Sequence, residues 1–587
     1  MHGRVKVKTT AEQEEERRRE REKKLKIYKS ATQRVIEKRQ NQELDDELLH
    51  ITSQILQSNP DYTTMWNIRR EVFMVHFNKS LKKTAEDGAG ELLLTEAALQ
   101  KNPKSYGAWS HRAWAMENFP QMDWAKELRL CNLFLDQDER NFHCWDYRRF
   151  VCSHTKVTAE MELGFTMDRI AANFSNYSAW HYRSSLLPSV HPGSREGTVQ
   201  EDVLLEADSK AVPRSYRQIK LGQSKKGSLL GMEYNLVQNA TFTDPGDQSA
   251  WFYHRWLTGR ERPALDFLLL YISRETRKVI LHFTRQISLA DTNIFITVNG
   301  SSLQLSWEAP CQSLCSSLWW CHLHEGSLPG DCTVKAVVQA KDEFAIASLF
   351  ISSMQKESKA TGSIPRNHLF SCELSAARTS VLENELKTCK QLHDLEPLNK
   401  WPILTCVLLM RALDGCKFRM DIKNFLVKLT AVDPMRRNYY NDLNSKFAAE
   451  SVIEQLDEND LTADFSGQCL TSIRHTNHLA LLREVDFSRN QIKSILPLGC
   501  LLSIRNLILD DNCIETCEGL GSLHTLTLLS LRNNKICNKD CLIVLETCLL
   551  LTELNLEGNP IFKCKDYVQS LLPQVKLLDG LSMSGRD

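Results

Sequence analysis

Residues 102–114 read NPKSYGAWSHRAW, with Trp109 three residues before Arg112. Four other stretches share this form: NPDYTTMWNIRR around Trp66, DERNFHCWDYRRF around Trp145, NFSNYSAWHYRS around Trp180 and DPGDQSAWFYHRW around Trp251. In the later copies the arginines are Arg148, Arg183 and Arg255. Successive tryptophans stand 43, 36, 35 and 71 residues apart, the last gap being about two periods. A period of this length belongs to stacked helix pairs, because one pair cannot bury its apolar face without neighbours. Each tryptophan is expected to pack between helices. Each arginine, drawn inside beside it, must find carbonyl or carboxylate partners and so orders the stack.

In the second copy Asn102 is placed to cap a helix and Pro103 to fill its first position, where no amide donor is needed. Tyr106, Trp109, Arg112 and Ala113 then share one face. AGELLLTEAALQK and WAKELRLCNLFLD supply the partner helices. The long gap after Trp180 is read as a basic, poorly ordered insert over 206–231 that interrupts one helix.

Past Leu257 the helical period fades. KVILHFTRQISL, TNIFITVNGSSLQLSWEA and DCTVKAVVQA alternate apolar and polar residues, and Asn299-Gly300 is a hairpin signal. These strands predict a small antiparallel sandwich. Helical patterning returns near Leu374 and includes EPLNKWPILT, a degenerate copy around Trp401 without the arginine. Finally LREVDFSRN, IRNLILDDN, LTLLSLRNN and LTELNLEGN fit leucine-rich repeats, with ladder asparagines Asn490, Asn512, Asn534 and Asn559 spaced 22, 22 and 25 residues apart. Each asparagine is expected to satisfy backbone groups inside its turn. The predicted organisation is multidomain: helical repeats over 1–258, a β-sandwich over 259–355, further helical repeats over 356–450 and leucine-rich repeats over 451–587.

Of 587 residues, 73 are basic and 73 acidic, so bulk charge makes no case for nucleic acid or an anionic membrane. The run from Ala11 to Gln40 carries eleven basic and seven acidic residues and reads as a solvated helical arm. With no signal-like or membrane-length apolar run, a cytoplasmic location and no stable membrane insertion are expected. The 19 cysteines then read as reduced thiols. Cys311, Cys315, Cys321, His322, His324 and Cys332 lack the paired CxxC knuckles of a structural zinc site, so no metal is expected there.

The sequence contains no GxSxG, GxxxxGK[ST] or HExxH motif, which argues against a self-contained active site. Lys104 stands out. It is expected in the first helical turn, where the dipole disfavours a cation, so that a lysine beside unpaired amides makes an anion site. His143 is read in the matching early turn of the next copy.

Asn or Asp at the helix start, then Tyr or Phe, Trp and Arg, resemble the repeats of protein prenyltransferase alpha subunits. The α–α superhelix of such repeats, an immunoglobulin-like insert and C-terminal leucine-rich repeats together resemble the Rab geranylgeranyltransferase (type II) members, over nearly the whole chain. The basic stretch 206–231 departs from that pattern. The resemblance implies a heterodimer with a beta subunit that holds zinc and the lipid pocket. It also implies transfer of geranylgeranyl from geranylgeranyl diphosphate to C-terminal cysteines of Rab GTPases presented by a Rab escort protein. By the same resemblance Lys104 and His143 are catalytic, and Tyr106 and Asn141 bind substrate. His2, on the N-terminal tail, is a further candidate ligand for the partner's zinc. The alternative is a non-enzymatic helical-repeat and leucine-rich-repeat adaptor, although tetratricopeptide arrays show W-x2-L-G-x2-Y rather than Trp followed by Arg.

Overall fold

Every repeat tryptophan closes the turn ahead of its own helix. The indole Nε1 of Trp66, Trp109, Trp145 and Trp180 donates at 2.8 Å to the carbonyl six residues earlier, that of Pro60, Pro103, Glu139 and Phe174. Trp251 does the same to Pro245 at 3.1 Å. All five rings are buried, so one side chain fills the interhelical space and satisfies a carbonyl in the connecting turn.

The computed structural model describes residues 11–78, 84–191, 229–259, 264–340, 343–366, 369–370, 379–561 and 565–583. His2 and residues 206–228 of the expected insert lie outside them; 229–231 open a helix. The chain forms two units, Met1–Met232 and Glu233–Asp587. The first contains helices α1 (Ala11–Gln40), α2 (Asp46–Ser58), α3 (Thr63–Asn78), α4 (Ala85–Lys101), α5 (Tyr106–Asn118), α6 (Trp124–Gln137), α7 (Phe142–Ser153), α8 (Ala159–Ala172) and α9 (Tyr177–Val190). Consecutive helices pack as pairs.

The capping expectation is corrected. Asn102 ends α4 rather than starting α5: its N–H donates to the Ala98 carbonyl and its Oδ1 accepts from the Lys104 N–H. Ser105 caps α5 instead, accepting from the Ala108 N–H, and Pro103 sits in the intervening turn. The same frame recurs in the next two copies, where Asp138 and Asn173 end one helix and Asn141 and Asn176 cap the following one.

Buried arginines tie the pairs together. Arg112 Nε and Nη2 donate to Glu127 at 2.6 and 2.7 Å, while Nη1 reaches the Leu92 carbonyl at 2.8 Å and Thr95 Oγ1 at 3.0 Å. Arg148 grips Glu162 at 2.7 and 2.6 Å. Arg183 reaches the Leu163 carbonyl at 2.8 Å and Thr166 at 3.2 Å, and Arg69 pairs with Glu91. Such bidentate geometry is what makes a buried guanidinium tolerable.

Helix α10 (Leu229–Thr243) begins with the last four residues of the first unit and runs on into the second, where α11 (Gln248–Leu257) follows. Here the assignment of Arg255 is corrected. The third residue after Trp251 is His254, which is buried with Nε2 2.9 Å from Glu385 Oε2. Arg255, turned about 100° further round the helix, is only partly buried. Glu385 belongs to α12 (Thr379–Leu395), which follows eight strands. Trp251 shares one core with α12, α13 (Lys400–Asp414) and α14 (Arg419–Val432), so the strands interrupt a continuing helical stack.

Those strands are β1 (Phe267–Ser273), β2 (Lys278–Ser288), β3 (Thr292–Val298), β4 (Ser301–Leu303), β5 (Cys315–His322), β6 (Cys332–Ala340), β7 (Glu343–Ile351) and β8 (Glu357–Thr361). They form two four-stranded antiparallel sheets, ordered β5-β2-β1-β8 and β4-β3-β6-β7, around one apolar core. Asn299 and Gly300 both have positive φ, 48° and 86°, as the two-residue hairpin requires. β8 pairs with β1, Leu269 opposite Thr361, so the sandwich runs past the expected boundary at 355.

Helix α15 (Arg437–Gln455) crosses the expected boundary at 450. Its Ala449 and Ile453 enter the leucine-rich core, so the helix caps that stack. Beyond it β9 (Thr462–Asp464), β10 (Glu484–Asp486), β11 (Asn506–Ile508), β12 (Leu528–Ser530) and β13 (Glu553–Asn555) run in parallel. After α16 (Lys565–Leu571), β14 (Leu577–Leu578) extends the parallel sheet and β15 (Leu581–Ser582) turns back on it. The side-chain oxygens of Asn490, Asn512, Asn534 and Asn559 accept from buried backbone N–H groups of the preceding turn at 2.9–3.1 Å. Each follows a residue with positive φ, namely Arg489, Asp511, Asn533 and Gly558. A Cβ on Gly558 would collide with Asn533 Oδ1.

Candidate functional site

Four of the sequence-derived site residues gather where the α4–α5 turn meets the start of α7. The Pro103 carbonyl accepts from both Trp109 Nε1 at 2.8 Å and Asn141 Nδ2 at 2.9 Å. Those two bonds lock the turn that carries Lys104. Lys104 therefore precedes α5 by two residues, rather than lying within its first helical turn as the sequence suggested. The helix begins later because Ser105, not Asn102, is the cap.

The Lys104 side chain is 63% exposed, and its ammonium lies 3.2 Å from Asp138 Oδ2. An exposed pair of this kind is worth at most about 1 kcal/mol, so an anion of higher charge can displace the carboxylate. Tyr106 is 71% exposed, with its ring 4.1 Å from that of His143 in an edge-on contact. His143 is in the first turn of α7, as expected, and is itself buried. Burial, reinforced by the nearby Lys104 charge and opposed by Asp146, lowers its pKa and keeps the imidazole neutral at neutral pH.

Asn141 is corrected to a positioning residue. It is 1% exposed, its Oδ1 accepts from the Cys144 N–H and its Nδ2 holds Pro103. It shapes the turn beneath the site and presents nothing to a ligand. Trp66, Trp109, Trp145, Trp180 and Trp251, with Arg112, Arg148 and Arg183, are likewise buried framework.

The exposed groups are thus an ammonium and a phenol, with a neutral imidazole behind them. That set binds and stabilises an anion and contains no activated nucleophile. Sequence reading missed Asp138 and the Pro103 carbonyl. Asp138 had a usable signal, since it stands seven residues before Trp145 as Asn102 does before Trp109. Among the described residues no three His, Cys, Asp or Glu side chains gather as metal ligands, and no helix is long and apolar enough to cross a membrane. Cys321 and Cys332 are both buried, on strands of opposite sheets.

The Protein prenyltransferase alpha subunit repeat family matches residues 89–119, 124–155, 159–190 and 230–260. The chain is 41% identical to Bos taurus geranylgeranyl transferase type-2 subunit alpha, over 98% of this chain and 99% of that protein. It is 40% identical to the Homo sapiens protein of the same name over the same shares. Among solved structures, Candida albicans protein geranylgeranyltransferase-I complexed with GGPP aligns at 14% identity with a TM-score of 0.39, covering 72% of this chain and 91% of that one.

Proposed function

The chain belongs to the family of geranylgeranyl transferase type-2 alpha subunits, and from that premise we propose how its exposed lysine serves the reaction. As a prenyltransferase alpha subunit it works with a beta subunit. We place geranylgeranyl diphosphate and zinc on that beta subunit, with Lys104 reaching the diphosphate across the interface. Zinc, when bound there, would hold the acceptor thiol as a thiolate.

In the proposed reaction a cysteine near the C-terminus of a Rab GTPase, presented by an escort protein, attacks C1 of the lipid. The C1–oxygen bond breaks and the diphosphate leaves with growing negative charge. Lys104 stabilises charge where it develops, which lowers the barrier rather than merely tightening binding. Tyr106 donates a further hydrogen bond from its phenol. His143 is a positioning residue that holds the Tyr106 ring and, being neutral, adds no competing charge. The observation that carries this reading is the exposed Lys104 ammonium on a turn fixed by Trp109 and Asn141.

The remaining parts fit the same proposal. The helical repeats form the α–α superhelix that holds the beta subunit; the sandwich is immunoglobulin-like; the parallel leucine-rich stack is a leucine-rich repeat domain; the assembly works in the cytoplasm. The test is single-turnover transfer of labelled geranylgeranyl to Rab by the reconstituted heterodimer. Lys104→Ala is expected to slow transfer by about 10- to 1,000-fold, with unchanged heterodimer assembly. Unaltered turnover would remove the lysine from the mechanism.

A further inference from the structure

Helix α3 carries two adjacent arginines with different surroundings. Arg69 is buried and paired with Glu91. Arg70 is partly buried, yet no carboxylate among the described residues lies within ion-pair distance of it. Its Nη2 donates to Ser110 Oγ at 3.0 Å and its Nε to His111 Nδ1 at 3.4 Å, and its guanidinium lies 5.9 Å from the Trp114 ring centre.

His111 cannot supply the missing charge. Its Nε2 is 2.7 Å from Glu91 Oε2, so that nitrogen carries the proton and Nδ1 is the acceptor facing Arg70. Burial keeps the ring neutral. The cluster therefore holds two cations, Arg69 and Arg70, against the single anion Glu91, a net charge of +1. Burial also disfavours the charged form of Arg70, and no acidic neighbour offsets it. A partly desolvated guanidinium left one carboxylate short is poorly placed for the lone chain.

The surface around it has the character of an interface. Ser110 lies one turn after Tyr106 on α5, so both share a helix face. Met74, one turn after Arg70, is 46% exposed, and Tyr106 is 71% exposed. Exposed Met and aromatic side chains around an arginine are the composition enriched where proteins meet. Through Ser110 and Tyr106 the face adjoins the turn that carries Lys104, so a partner that reaches Lys104 borders it.

We infer that Arg70 is a docking point for a carboxylate side chain of the beta subunit. The inference rests on the heterodimer reading above. The partner's carboxylate completes the charge of the Arg69–Glu91–His111–Arg70 cluster and fits the planar fork of the guanidinium. Because that pair is desolvated on assembly, its loss is expected to speed dissociation more than it slows association.

The test follows subunit exchange in the purified heterodimer, using a fluorescently labelled alpha chain as competitor, together with thermal unfolding of the alpha chain alone. Arg70→Gln should speed exchange by about 30-fold or more, and Arg70→Glu should block assembly, while neither lowers the unfolding temperature of the lone chain. Arg70→Lys should fall between, since it keeps charge but loses the fork. Destabilisation of the lone chain by Arg70→Gln, with unchanged exchange, would assign a purely internal role and overturn the inference. So would a raised KM for geranylgeranyl diphosphate with unchanged exchange, which would assign a lipid-diphosphate contact. If the unaltered chain formed no heterodimer, the functional reading would fall with it; normal assembly with an indifferent Arg70 would remove only the docking role.

Discussion

Replacing Arg112 by methionine should unfold the helical unit at markedly lower temperature, and the structure sets the scale. Arg112 and Glu127 are each 1% exposed and joined by two hydrogen bonds of 2.6 and 2.7 Å. Removing the guanidinium leaves Glu127 as a buried carboxylate with the Tyr147 hydroxyl, 2.7 Å away, as its remaining donor. It also strips a donor from the Leu92 carbonyl and from Thr95. Breaking a buried pair from one side costs about 3–5 kcal/mol, mostly through the stranded charge. For a unit of this size each kcal/mol moves the midpoint by about 2–4 °C, so Arg112→Met should lower Tm by about 6–20 °C. The double variant Arg112→Met with Glu127→Gln removes the stranded charge and should regain most of that loss. Calorimetry of the full chain, with near-ultraviolet circular dichroism to follow the tryptophans, measures both. If the double variant melted no higher than the single one, the stranded charge would not be the main term, and the account of these arginines would be wrong.

Acid should weaken the α3–α4–α5 contact through Glu91. Burial opposes its ionisation, but hydrogen bonds from His111 and Arg69 outweigh that and bring its carboxyl from the ordinary 4.5 down to about 2. A depressed carboxyl stabilises the fold fully above the ordinary value, and that contribution fades as pH falls from about 4.5 towards 2. The shift corresponds to on the order of 3 kcal/mol. Urea midpoints of the parent and Glu91→Gln should therefore converge across this window, and a constant gap between them would refute the linkage. In the leucine-rich stack, Asn512→Ala strands the buried Ile492 N–H and removes the donor to the Phe487, Leu509 and Asp510 carbonyls. A loss of about 2–4 kcal/mol is expected. Hydrogen exchange should show faster opening of 487–514, and protection equal to the parent would rule out the ladder role.

The repeat, the sandwich strands, the Asn299-Gly300 hairpin and the asparagine ladder were legible in the sequence because each rests on local spacing. A tryptophan three or four residues before an arginine, or an asparagine every 22 to 25 residues, needs no distant partner to be noticed. Helix ends were less legible. Asn102 and Ser105 are both good caps, and only the fit of Trp109 over Pro103 decides that Asn102 ends one helix while Ser105 starts the next. That choice moved Lys104 out of the helix.

What the chain order alone determined is the set of parts and the residue types each repeat presents. Tertiary structure decided which charges meet. Glu385 finds His254 from 131 residues away, across eight strands, and Asp138 finds Lys104 across a helix pair. Arg69 gains a carboxylate while its neighbour Arg70 faces none among the described residues. Burial and pairing depend on how helices stack, and a sequence pattern specifies faces without specifying which charged atoms on those faces come within bonding distance.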